Sequence, residues 1–239
     1  MGYFVIHLSR KNSHLPFLGK IVDYEHGMSV MDRLSVSKDG VIVFEPEGDQ
    51  YLHAIKALKD YAENKNRLFV EHFTTVDEYQ AKLKTIAYAC TEFKEHVAFC
   101  LAAAVSDFKI PEANMPKEKL SSDSAITLHL EPVKKTRLLV RSICGTEPLL
   151  CCFKLATNEA DLHTKANKML QQPTLADMVV CNIFEDRKAV VKILYPDGSL
   201  ERITDEDQKI NENIAKSLAN AHEKRIKFCQ IKDGKNENI

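Results

Sequence analysis

A doubly wound α/β fold is what residues 1–228 predict, and three observations carry the prediction. Short apolar runs alternate with amphipathic stretches of helical spacing. Most of those runs are apolar throughout, the mark of strands covered on both faces, as in a parallel sheet. One Pro-Asp-Gly turn then breaks the alternation and signals a hairpin. Together these describe a Rossmann-like, mostly parallel sheet with an antiparallel β-extension. The chain reads as a single domain over 1–228, with a frayed polar tail over 229–239.

In chain order, the expected strands are YFVIHL (3–8), GVIVFEP (40–46), RLFVEHF (67–73), HVAFCLAAAV (96–105), AITLHLEP (125–132), PLLCCFKLAT (148–157), DMVVCNIF (177–184) and AVVKILYP (189–196). All are dense in β-branched and aromatic residues. Between them, Leu52, Ile55, Leu58 and Ala62 recur at helical spacing, as do Tyr79, Leu83, Ile86, Ala87, Cys90 and Phe93. Thr74 or Thr75 with Glu78 forms a capping signal for the second of these helices. Residues 158–172 and 204–228 read as two more helices, the last with acids early and bases late, as the helix dipole prefers. YPDGSLERI (195–203) supplies the hairpin.

Composition narrows the function. The 239 residues are 44% hydrophobic and 28% charged, with a net charge of −1, which fits a globular domain and gives no clustered basic surface for nucleic acid or anionic membrane. No apolar run approaches the roughly 20 residues needed to span a bilayer. MGYFVIHLSRKN has no basic lead and no small-residue cleavage site, so no signal peptide is expected. Ile6 stands where a myristoylation signal wants Ser or Thr. The seven cysteines sit mostly in apolar runs without CxxC spacing, the pattern of reduced thiols in a cytoplasmic protein. No histidine forms an HExxH or a metal-ligand pair with a cysteine. GxGxxG, Walker A and GxSxG are absent, which disfavours a conventional nicotinamide enzyme, a P-loop kinase or a serine hydrolase.

Open α/β sheets bind ligands beyond the carboxyl ends of their strands. Four such ends stand out: AAAVSDF, FKLATNE, CNIFEDR and FTTVDE. Ala103 and Ala104 are small enough for a ligand to approach the backbone, or for a helix to pack closely. Asp107 reads as a ligand group or a turn residue. Phe153 reads as a ligand contact or core, and Asn182 as a ligand contact or turn former. Lys109, Lys117 and Lys119 suit either a phosphate or a solvated loop face. Their coincidence at one crevice marks a ligand site.

LAAAVSDFKIPEANMPKEKL, CCFKLATNEADL and LADMVVCNIFEDR, in that order and preceded by RLFVEHFTTVDEY, resemble the eukaryotic-type phosphopantothenoylcysteine synthetase (phosphopantothenate–cysteine ligase) family, from about Gly2 to Ile226. The resemblance implies a nucleotide-binding ligase domain that joins 4′-phosphopantothenate to L-cysteine through an acyl-nucleotide intermediate, the second step of coenzyme A biosynthesis. It implies ATP as co-substrate in preference to CTP, with Mg²⁺. By the same resemblance, Ala103 and Ala104 give clearance for the nucleotide, Asp107 binds it or places Mg²⁺, Lys119 neutralises phosphate charge as the catalytic loop lysine, Phe153 lies against the base, and Asn182 hydrogen-bonds nearby. A homodimer through AITLHLEP and AVVKILYPDGSLERI is implied as well. The sequence departs from the family twice. Its opening resembles the strand after the family's Gly-rich first βα unit, so an amino-terminally shortened domain is expected. Ala156 also stands where the family usually carries Glu. A non-catalytic paralogue or fragment, acting as an interaction subunit of a full-length homologue, is the alternative function.

Overall fold

The computed structural model describes residues 2–13, 16–20, 34–45, 49–116, 118, 125–172, 174–187, 189–205 and 209–236. The chain forms two compact units, Met1–Thr74 and Thr75–Ile239.

In the first unit, strand β1 (Val5–Arg10) pairs in parallel with a later strand, as the apolar runs predict. Strands β2 (Leu34–Val36) and β3 (Ile42–Phe44) form an antiparallel hairpin. Its turn is built by Gly40, whose φ of +76° suits a residue without Cβ. Ser37 fixes that turn by accepting the Val41 amide on its hydroxyl at 3.1 Å. The sequence reading places a strand at 40–46 and misses β2, whose three residues are too few to show an alternation. Helix α1 (Asp49–Asn64) buries Ala54 and Ala57, and strand β4 (Leu68–Phe73) pairs with β1 from Val5↔Leu68 to Arg10↔Phe73.

The second unit opens with helix α2 (Val76–Cys90), capped as expected: Thr75 Oγ1 accepts the Glu78 amide at 3.1 Å. Strand β5 (Ala98–Leu101) follows, then the two-residue strands β6 (Phe108–Lys109) and β7 (Glu131–Pro132), which pair with each other. Helix α3 (Thr136–Cys144) is absent from the expected elements, because its nine residues complete only about two and a half turns. Strand β8 (Leu149–Ala156) leads to helix α4 (Glu159–Leu170), where Asn158 caps by accepting the Asp161 amide at 2.9 Å. Strand β9 (Met178–Ile183), the hairpin of β10 (Val190–Leu194) and β11 (Leu200–Thr204), and helix α5 (Ile210–Asn236) complete the unit.

These strands form one five-stranded sheet in the order β11-β10-β9-β8-β5. Strands β5, β8 and β9 run parallel, while β10 is antiparallel to both its neighbours. The architecture is therefore the expected α/β sheet with an antiparallel extension. Gly198, at φ +81°, turns the hairpin at the Pro-Asp-Gly signal.

Leu149, Cys151, Met178, Val180, Val191, Ile193 and Ile203 build one face of this sheet, with Ile210, Ile214, Leu218 and Ala221 of α5 packed against it. Each such buried aliphatic side chain contributes about 1.5–3 kcal/mol. Strand alternation sends Leu150, Cys152, Val179 and Cys181 to the opposite face, all buried. Helix α4 lies along β8 and β9, and its Glu159 pairs with Lys192, which shares that face.

A buried charge pair fixes the amino ends of β8 and β9. Arg141 of α3 donates to the carbonyls of Thr174 (3.0 Å), Gly145 (3.2 Å), Pro148 (2.9 Å) and Leu175 (2.5 Å), and to Asp177 Oδ2 at 3.0 Å. Asp177 also accepts the Leu150 amide at 2.7 Å and Arg225 of α5 at 2.7 Å. One ion-pair network thus ties α3, α5 and two strands together at the end opposite the expected ligand crevice.

Candidate functional site

The residues that follow β5 explain why the alanine run is not a strand. Pairing with β8 stops at Leu101↔Cys152, four residues short of the expected strand end. Beyond it the chain folds on itself in two tight turns, with Ala102 N donating to Cys100 O (3.1 Å) and Val105 N to Ala103 O (3.0 Å). Ala104 is exposed and Ala103 half-buried, so backbone is accessible at this strand end.

Asp107 ends that turn. Its backbone carbonyl accepts the Val133 amide at 2.9 Å, and the β6–β7 ladder begins at the next residue. This fastens the loop to the segment entering α3. There Lys135 stands at the helix N-cap and donates to Asp107 Oδ1 at 2.5 Å. That hydrogen bond first, and more weakly the positive charges of Lys135, Lys154 and Arg137, hold the Asp107 carboxyl below the usual carboxylate range against the opposing effect of burial. Arg137, in the first turn of α3, is anchored through Nε to the hydroxyl of the buried Thr174 at 3.0 Å.

Lys135 thus contacts Asp107 at the carboxyl ends of β5 and β8, and Lys154 and Arg137 lie near enough for their charges to act on it. Lys154 makes no ion pair among the described residues. Its row-mate Lys192, joined through the register Lys154↔Cys181↔Lys192, is by contrast neutralised by Glu159. The start of α3 adds to the positive field: no side chain caps it and its first turn holds no acid. Basic residues in a first turn oppose the helix dipole, an arrangement that costs stability unless an anion occupies it.

Phe153 and Asn182 lie on the other face. Phe153 packs against the α5-side core, and its register partner Val180 belongs to that core. Alternation along β9 places Asn182 on the same face, one row nearer the carboxyl end, beside Leu155. The structure brings Phe153 and Asn182 together there, and gathers Asp107 with the cations on the α4 side. The exposed turn carrying Ala103 and Ala104 joins β5 to Asp107.

Lys117 and Lys119 lie outside the described residues. Lys109 is engaged, pairing with Asp77 at 2.9 Å and Glu131 at 3.8 Å. Ala156 is buried on the Lys154 face. Among the described residues no three His, Cys, Asp or Glu side chains converge as a metal centre. Asp107, as a single carboxylate, fits a Mg²⁺ that arrives on polyphosphate and keeps waters, the usual mode for this ion.

Sequence reasoning missed Lys135, Arg137 and Lys154. The signal for the first two was present in PVKKTRLLV: lysine and arginine occupy the helix start, where aspartate or glutamate is favoured. Lys154 could have been found as the one charge inside an otherwise apolar strand, LLCCFKLA.

Comparison with known proteins identifies the family. A family model described as the DNA/pantothenate metabolism flavoprotein C-terminal domain matches residues 69–224. The phosphopantothenate–cysteine ligase CAB2 of Saccharomyces cerevisiae is 28% identical over 256 residues, covering 97% of this chain and 68% of that protein. The human phosphopantothenate–cysteine ligase is 28% identical over 231 residues, 92% of this chain and 73% of that one. A solved structure of a Cab2 mutant in complex with phosphopantothenate-cysteine superposes with a TM-score of 0.81 at 25% identity, over 96% of this chain and 75% of that chain. The chain belongs to the DNA/pantothenate metabolism flavoprotein C-terminal domain family, among its phosphopantothenate–cysteine ligases.

Proposed function

We propose that the chain ligates 4′-phosphopantothenate to L-cysteine using ATP, with the nucleotide lying over the carboxyl ends of β5, β8 and β9. The observation that carries this reading is the gathering of Lys135, Arg137 and Lys154 around Asp107 beside an exposed, alanine-lined turn.

A carboxylate is a poor acyl donor because its leaving group would be oxide. In the proposed reaction a carboxylate oxygen of phosphopantothenate attacks the α-phosphorus of ATP, pyrophosphate departs, and an acyl-adenylate remains. The cysteine amine then attacks the acyl carbon, AMP leaves, and the amine's surplus proton is lost to solvent. Ala103 and Ala104 give the α-phosphate room to reach backbone. Lys154, Arg137 and Lys135 offset the charge that builds on the departing pyrophosphate, the kind of fixed electrostatic stabilisation that contributes most to such transfers. Lys119 adds to that charge. Phe153 takes the base, Asn182 hydrogen-bonds beside it, and Asp107 would hold Mg²⁺, which would supply positive charge to offset that of the phosphates.

The homodimer belongs to the same proposal. Residues 125–130 run without a strand partner, exposing Ile126, Leu128 and Leu130 at alternate positions. That is the pattern of a strand awaiting a second one. A cytoplasmic setting fits the free cysteines, and no helix among the described residues is long and apolar enough to cross a membrane. The interaction-subunit alternative draws no support from relatives that are themselves ligases by name.

The test is product analysis with purified chain, ATP, Mg²⁺, phosphopantothenate and cysteine. Pyrophosphate and AMP should appear together, and only when phosphopantothenate is present. Release of ADP and orthophosphate instead would rule out the acyl-adenylate route.

A further inference from the structure

Two thiols outside the groups assigned to ligation are set side by side by the sheet register. Cys100 of β5 and Cys151 of β8 are direct partners on adjacent parallel strands. Cys151 belongs to the core face beneath α5, so its partner's thiol points to that face too. Neighbouring strands lie about 4.8 Å apart, inside the Cα separation of about 4.4–6.8 Å at which disulfides form.

The two sulfurs differ in a way that assigns roles. Cys100 is exposed, whereas Cys151 is wholly buried. The adjacent Cys151 thiol lowers the Cys100 pKa against the opposing effect of burial. The adjacent Cys100 thiol, and then burial, hold the Cys151 pKa well above the ordinary thiol value. Cys100 is thus the attacking thiol and Cys151 the resolving one.

We propose that Cys100 and Cys151 are a redox modification site, forming a reversible intrachain disulfide by exchange with a low-molecular-weight disulfide. The Cys100 thiolate attacks one sulfur of the small disulfide and expels a thiolate, which takes up the proton Cys100 released. Cys151 then loses its proton and attacks the Cys100 sulfur of the mixed disulfide, expelling the second small thiolate, which that proton neutralises. The protein thiols lose two electrons, and the small disulfide gains them as two thiols. Register partners on parallel strands hold their Cβ atoms near the strand spacing of about 4.8 Å, while a relaxed disulfide wants about 3.8 Å. The strands must therefore close by about 1 Å, and the strain makes the bond readily reduced. That closure acts at the base of the Ala103–Ala104 turn and two residues from Phe153.

The experiment treats the full chain with oxidised glutathione, alkylates remaining thiols, and maps tryptic peptides without reduction. A link between peptides 95–109 and 142–154 is expected, reversed by dithiothreitol. It should persist in Cys144→Ala and Cys152→Ala and vanish in Cys100→Ala and Cys151→Ala. Cys100→Ala alters only an exposed position, so loss of the link there does not depend on how the core tolerates Cys151→Ala. A link that survives Cys151→Ala, or Cys100 found only as a glutathione adduct, overturns the proposal. The readout is a peptide mass, so it stands or falls separately from the ligase reaction.

Discussion

Replacing Arg141 by methionine should cost the second unit about 3–5 kcal/mol, the range for breaking a buried ion pair from one side. The Arg141 side chain is 6% exposed and that of Asp177 is 17% exposed. Methionine keeps most of the apolar stem, so little packing is lost. It removes every donor, leaving the Thr174, Pro148 and Leu175 carbonyls without their guanidinium and Asp177 with only Arg225 and the Leu150 amide. Leu175 adds to the loss: at φ +48° it holds a left-handed conformation unfavourable for leucine, and its carbonyl is bound by Arg141. At roughly 2–4 °C per kcal/mol for a chain of this size, the melting temperature should fall by about 6–20 °C. Arg225→Met, which removes the outer partner while Arg141 remains, should cost only about 1–2 kcal/mol. Native-state hydrogen exchange of the β8 and β9 amides reads the opening free energy of this unit directly. An Arg141→Met loss below about 1 kcal/mol, or a larger loss from Arg225→Met, would refute the clamp as described.

Three further predictions concern the ligand site and pH. Lys154→Ala and Arg137→Ala should each weaken ATP binding by about ten- to a hundredfold, the loss of one charge-assisted hydrogen bond. Lys154→Arg should restore most of it, and calorimetric titration with ATP and Mg²⁺ measures both. Phe153→Leu keeps the core contact but removes the ring face, so nucleotide affinity should fall about two- to tenfold with only a small change in melting temperature. His7 in β1 titrates below the ordinary imidazole value, first because burial disfavours its charged form and then through the neighbouring charge of His72. The unfolded chain therefore binds the proton more readily. Stability of the first unit should be unaffected above about 6.5 and fall as pH drops from that value towards the lower folded pKa. Urea midpoints at pH 7.5 and 5.5 should converge in His7→Gln; an unchanged pH dependence counts against this.

The sheet was legible because its signals are local. Runs such as LLCC and MVVC are apolar on both faces wherever helices cover the sheet, and the Pro-Asp-Gly turn needs no distant partner to be recognised. The reading failed where a strand needs a partner. Residues 96–101 and 102–105 are equally apolar in sequence, yet pairing ends at Leu101, where the chain turns tightly on itself. AITLHLEP has ideal alternation, but among the described residues only its Glu131 and Pro132 find a strand. The site was half legible for the same reason. Asp107, Phe153 and Asn182 fall at strand ends that topology alone makes important. Lys135 and Arg137 belong to a short helix and acquire meaning only when the β6–β7 ladder carries them to Asp107.

A crystal structure of the chain with Mg²⁺ and a non-hydrolysable ATP analogue tests most directly whether these strand ends make one nucleotide cleft. The account predicts the adenine against Phe153, its neighbour Asn182 within hydrogen-bonding reach, and the phosphates among Lys135, Arg137 and Lys154. A nucleotide seated at the amino ends of the strands near Asp177, or phosphates remote from Lys154, would contradict it.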